Sequence, residues 1–76
     1  MSKNSYQNKA LASLQNRLQG LLDDGYLVWY SYDNYEAIVR FLKHKNGNRV
    51  ILFYSIEDGT ITQYTNGKKV FSSKVY

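Results

Sequence analysis

Cysteine is absent from this 76-residue chain. That excludes a disulfide framework, a thiolate nucleophile and any zinc site built on Cys ligands. A short secreted domain usually needs covalent staples, so a reducing compartment, the cytoplasm, is the expected location. Proline is absent too, and no turn is marked by it. Histidine occurs once, at His44, two residues before an Asn-Gly pair. A lone His beside an exposed turn reads as a solvated side chain. The carboxylates, Asp23-Asp24, Asp33 with Glu36, and Glu57-Asp58, all fall at expected turns, where Asp suits the local geometry. One His and scattered acids do not supply the ligands of a metal site. There is no glycine loop to cradle phosphates and no nucleophile elbow. These absences point away from an enzyme, a metal and a cofactor.

Long apolar runs are missing as well. None approaches the ~18–20 residues that span a bilayer. The opening MSKNSYQNKALASLQNRLQ lacks the apolar core, roughly 7–15 residues, of a secretory signal. Its helix carries too few cations, Lys9 and Arg17, for a basic amphipathic anchor. No membrane partner is expected.

What the chain has in excess is aromatic residues: eight Tyr, three Phe and one Trp. Ten Lys and Arg against six Asp and Glu leave a net charge of +4. Hydrophobic residues at 43% and charged residues at 21% suit a folded domain rather than a disordered chain. The length allows one domain, 1–76, and a single core. A domain of about 60 residues buries only about 60% of its unfolded surface, so stability is modest and oligomerisation would help.

The expected fold is α+β, one N-terminal helix packed on a five-stranded antiparallel β-meander. Ala10, Leu11, Leu14, Leu18, Leu21 and Leu22 recur at spacings of three and four, one helical stripe over about 5–23. Asn4 or Ser5 can cap its start, and Gly25 can end it. After Gly25 the period becomes two. Asn46-Gly47, Asp58-Gly59 and Asn66-Gly67 each suit a two-residue type I′ hairpin, with Asp33-Asn34 a weaker fourth turn. The strands between them are 26–32, 35–45, 48–57, 60–65 and 68–75.

Two-residue turns would fix the register. Phe41 would then face Leu52, Val39 would face Tyr54, Ile56 would face Ile61, Thr62 would face Phe71 and Tyr64 would face Lys69. A two-residue Asp33-Asn34 turn sets Val28 against Val39, Trp29 against Ile38 and Leu27 against Arg40. One face would carry Tyr26, Val28, Tyr30, Ala37, Val39, Phe41, Val50, Leu52, Tyr54, Ile56, Ile61, Gln63 and Val70, covered by the helix. The other would carry Leu27, Trp29, Ile38, Arg40, Leu42, Ile51, Phe53, Thr62, Tyr64 and Phe71, edged by Glu36, His44, Arg49 and Lys69.

One helix covers one face, and nothing is left to cover the second. Soluble monomers rarely expose apolar patches beyond a few hundred Å2. The second face is therefore a protein interface, a ligand platform or the inside of a sheet that curls on itself. Tyr, Trp, Phe and Arg are enriched at interface hot spots. Trp29, Arg40, Phe53, Tyr64, Lys69 and Phe71, with Arg49 at the rim, are the candidate binding residues. The expected function is a non-enzymatic, stoichiometric regulator or inhibitor of another protein. A host nucleic-acid enzyme is one such target, and the size and simplicity suit an accessory product of a phage or mobile element. A homodimer through the same face is the structural alternative. The functional alternative is direct DNA or RNA binding, with bases stacked on the rings and phosphates held by Lys and Arg. Against it, Lys and Arg near hairpin turns also serve as ordinary edge-protecting charges.

Overall fold

The computed structural model describes residues 2–74, with side chains described at position 9 and from 11 onward. One helix, α1 (Ser2–Asp23), precedes five strands: β1 (Leu27–Asp33), β2 (Ala37–Lys43), β3 (Arg49–Ser55), β4 (Thr60–Thr65) and β5 (Lys68–Lys74). The strands form one antiparallel sheet in the order β1-β2-β3-β4-β5. The α+β meander expected from the sequence is the observed fold.

The helix begins at Ser2, so Asn4 and Ser5 lie inside it rather than ahead of it. Its end is as expected. Gly25 has φ 100°, its N–H donates to the Leu22 carbonyl at 3.0 Å, and the Tyr26 N–H donates to the Leu21 carbonyl at 3.0 Å. These paired bonds satisfy the last helical carbonyls and turn the chain toward the sheet. Leu14, Leu18 and Leu21, spaced three and four apart, then pack on one side of the sheet.

The turns differ from expectation, and they decide which side chains face the helix. At Asn46-Gly47 the His44 N–H donates to the Asn48 carbonyl, and the Gly47 N–H donates to the His44 carbonyl, both at 2.9 Å. Only Gly47 has positive φ there. Lys45, Asn46 and Gly47 thus form a three-residue loop, a type I turn closed by a left-handed glycine. The extra loop residue slips the register by one, and Phe41 pairs with Ile51 instead of Leu52. A one-residue slip sends every side chain of a strand to the opposite face.

Ile38, Arg40 and Leu42 therefore point to the helix side, and Ala37, Val39 and Phe41 point away from it, the reverse of the sequence expectation. Leu42 is fully buried at the centre of the core with Leu14, Val50, Leu52, Tyr54 and Ile61. The Asp58-Gly59 loop holds four residues, and Tyr54 pairs with Ile61. That is a shift of two from expectation, so β3 and β4 keep the expected faces.

Asn66 and Gly67 have φ of 53° and 86°, the expected type I′ turn, and Tyr64 pairs with Lys69 as expected. Beyond that pair Val70 is an extra residue, so Phe71 pairs with Gln63 rather than Thr62 and turns to the helix side. Asp33 and Asn34 do not make the first hairpin turn. The Asn34 Oδ1 accepts the N–H groups of Glu36 and Ala37, both at 2.8 Å, so the bend falls at Tyr35-Glu36. β1 pairs Val28 with Leu42 and Tyr30 with Phe41, leaving Trp29 in a bulge. Tyr30, expected on the helix side, is consequently on the open face with Tyr32.

Candidate protein-binding surface

The face of the sheet away from the helix is open. Every residue of β1 is exposed, and Trp29, Tyr30 and Tyr32 are each about half exposed (50%, 51% and 50%). Trp29 and Tyr30 both set their rings edge-on to Phe41, with centroids 5.6 and 5.5 Å apart. Large, exposed side chains on β1 and β3 flank lower ones on β2, which is small at Ala37 and Val39 and closes with Phe41. Tyr30 and Tyr32 form one wall, Ile51 and Phe53 the other, and Ala37, Val39 and Phe41 the floor of a groove of about 670 Å3. Adjacent strands lie about 4.8 Å apart, which puts the walls roughly 10 Å apart at their base. Glu36 and Glu57 line one end of the groove. Lys43 and Arg49, paired across β2 and β3, lie just beyond the other end, two residues past Phe41 and Ile51.

Of the candidate binding residues, Trp29, Phe53, Tyr64, Lys69 and Arg49 lie on this open face. Phe53 and Tyr64 are each a little over a third exposed, and Arg49 and Lys69 are exposed. Arg40 and Phe71 lie on the other side. Arg40 grips both carboxylate oxygens of Asp33 across β1 and β2, with Nη2 donating to Oδ2 at 3.2 Å. Its hydrogen bond to Asp33 holds that carboxyl below its ordinary value. Phe71 packs against the core, and the Arg17 guanidinium stacks on its ring 3.4 Å from the centroid. The Arg17 Nε also donates to the Gln63 Oε1 at 3.1 Å, tying the helix to β4 and β5. Of the expected cross-strand pairs among the candidate residues only Tyr64–Lys69 forms: Leu27 pairs with Lys43, Arg40 with Leu52, and Phe53 with Val39 and Thr62.

Tyr30, Tyr32, Val39 and Phe41 belong to the groove and are missing from the sequence-based set. Their alternation along β1 and β2 was visible. What hid them was the bulge at Trp29 and the extra loop residue at Lys45–Gly47, which change the parity of both strands.

No family model matches the chain, and no curated protein or solved structure matches it either. The chemistry of the surface therefore carries the functional argument.

His44 acts within the fold. The Asn46 N–H donates to its Nδ1 at 3.0 Å, and its Nε2 lies 3.0 Å from the Asp24 carbonyl, an acceptor. This arrangement fits the tautomer with the proton on Nε2. The ring also stands edge-on to Tyr26, with centroids 4.9 Å apart. His44 so joins the helix exit to the β2–β3 loop. Next to it, the Asn48 Nδ2 donates to the Tyr26 hydroxyl at 3.3 Å and the Asn66 Nδ2 donates to the Asn48 Oδ1 at 3.1 Å. The Asn-rich end of the sheet is a structural belt.

Among the described residues no three His, Cys, Asp or Glu side chains cluster as metal ligands would. No described helix is long and apolar enough to cross a membrane.

Proposed function

We propose that this protein is a non-catalytic binding module that regulates or inhibits a protein partner by occupying its surface with the open face of the sheet. The observation that carries this reading is the aromatic groove between β1 and β3, uncovered in the monomer and lined by Tyr30, Tyr32, Phe41 and Phe53. Aromatic side chains on a rigid strand scaffold offer a large contact area at low entropic cost. The missing cysteines suit a partner in a reducing compartment such as the cytoplasm.

Two features weigh against nucleic acid as the ligand of this groove. Arg40 is turned away and committed to Asp33. Glu36 and Glu57 line the groove itself, where they would repel a phosphate backbone.

The test is affinity capture with quantitative mass spectrometry, using wild-type protein and a Tyr32→Ala/Phe53→Ala variant as baits. The expected result is a stoichiometric protein partner lost with the variant and retained by Lys74→Ala. In parallel, short single- and double-stranded oligonucleotides are titrated while Trp29 fluorescence is read. Saturable quenching that weakens steeply with salt would replace this reading with the nucleic-acid one.

A further inference from the structure

Two like-charge pairs of opposite sign bracket the groove: Glu36 and Glu57 line one mouth, and Lys43 and Arg49 lie just past the other, two residues beyond the lining residues Phe41 and Ile51. Lys43 and Arg49 stand directly across from each other on β2 and β3. Like charges in that position repel. At the other end, the Ile56 N–H donates to the Glu36 carbonyl at 3.0 Å, which ties the two neighbouring turns together. Glu36 and Glu57 are thereby brought to the same mouth of the groove. Arg40–Asp33 is the one ion pair among the described residues, and none of these four charges has a counter-ion among them.

The shape limits the occupant. A helix with its side chains is about 10–12 Å across, too wide to settle between walls roughly 10 Å apart at their base. An extended chain fits, and β2 from Ala37 to Phe41 offers about 16 Å of floor.

We propose that the groove binds an extended, apolar segment of a partner protein laid along β2, with a basic residue over Glu36 and Glu57 and an acidic residue over Lys43 and Arg49. This inference rests on the reading of the open face as a protein-binding surface. The apolar middle buries the exposed walls, Tyr30, Tyr32 and Phe53, above a floor in which Val39 is already buried, and the charged ends set the alignment. Each end of the ligand would relieve a repulsion that the free protein tolerates.

The probes are three short synthetic peptides with blocked termini and one common middle of alternating Val and Phe. One has Lys at one end and Glu at the other, the second has Lys at both ends, and the third has Glu at both. Binding is read by Trp29 fluorescence, since Trp29 packs on the groove residue Phe41, and by calorimetry at low salt. Wild-type protein is expected to prefer the Lys/Glu peptide by roughly tenfold over either of the others, a margin that shrinks with salt. A Glu36→Lys/Glu57→Lys variant is expected to switch its preference to the peptide with Glu at both ends. Both substitutions are at exposed turn positions, and circular dichroism checks the fold.

Equal binding of all three peptides, lost in Phe53→Arg, would overturn the charge alignment and leave the binding surface standing. Failure of all three to bind would overturn the extended-segment proposal, while the capture experiment still judges the broader reading. Concentration-dependent dimerisation abolished by Phe53→Arg would overturn it in favour of a second copy as the occupant.

Discussion

Arg40 shows how one side chain changes meaning with its face. On the open face, beside Phe53 and Tyr64, it would be a phosphate or hot-spot contact. On the helix side it sits across from Leu52, and its guanidinium reaches sideways to Asp33. The pair is bidentate, a geometry that favours Arg over Lys. It links the edge strand β1 to β2 near the first hairpin turn.

The consequence is a specific pH dependence. Asp33 is more acidic in the folded protein than its ordinary value of 3.8, first through its hydrogen bond to Arg40. A carboxyl whose folded value is depressed stabilises the fold above the unfolded value. That contribution is lost as pH falls through the lower, folded one. Asp33 is half exposed, so solvent screening keeps the effect below about 1 kcal/mol. Urea unfolding of wild type and Asp33→Asn is expected to show wild type slightly more stable at neutral pH. The difference should narrow as pH falls below the unfolded value and vanish once the folded carboxyl is protonated as well. A gap that persisted there would assign the effect to lost packing or hydrogen bonding rather than charge.

At the scale of elements, the loops govern which strand faces where. Helix α1, the meander order and the faces of β3 and β4 were legible because periodicity and Gly pairs mark elements well. β2 was not legible. An Asn-Gly pair is compatible with a two-residue type I′ turn and with a three-residue loop ending in a left-handed Gly. Both occur in this chain, at Asn66-Gly67 and at Lys45–Gly47 respectively. The choice follows from contacts distant in sequence. His44 must meet Asp24 and Tyr26, and its Nδ1 accepts the Asn46 N–H. With β2 inverted, Leu42 enters the core and Arg40 leaves the candidate site. The bulges at Trp29 and Val70 act likewise on β1 and β5, which is why Tyr30 joins the groove and Phe71 leaves it.

Two glycines measure these elements separately. Gly25 and Gly47 both have φ 100°, a conformation that L side chains rarely adopt. They differ in surroundings. A Cβ at Gly47 meets nothing within 4 Å, whereas one at Gly25 would lie 2.9 Å from the His44 Nε2. Gly47→Ala is expected to cost about 1–2 kcal/mol, the conformational penalty alone. Gly25→Ala should cost more, because it also pushes His44 off the Asp24 carbonyl. Thermal or urea denaturation ranks the two. Equal losses would mean that the His44 contact between helix exit and loop contributes nothing.

For the molecule as a whole, the core and the proposed binding surface lie on opposite sides of one sheet. The core is small: Leu14 from the helix against Leu42, Val50, Leu52, Tyr54 and Ile61, with partly buried neighbours around them. A chain of this length has a total stability of about 4–11 kcal/mol. Leu42 is fully buried, so Leu42→Ala is expected to cost about 2–5 kcal/mol, a large share of that total. Phe53, on the groove wall, is 38% exposed and has less to lose. Its truncation should cost less than Leu42→Ala, on the order of 1–2 kcal/mol from the apolar area it still buries. The two substitutions thus separate folding from recognition. Phe53→Ala should stay folded by circular dichroism and hydrogen exchange yet lose the captured partner. Leu42→Ala should lower the unfolding midpoint far more and affect binding only through the fraction folded. If Phe53→Ala unfolds the protein as readily as Leu42→Ala, the open face is part of the core of a sheet closed on itself. The groove would then be a packing feature rather than a site of recognition.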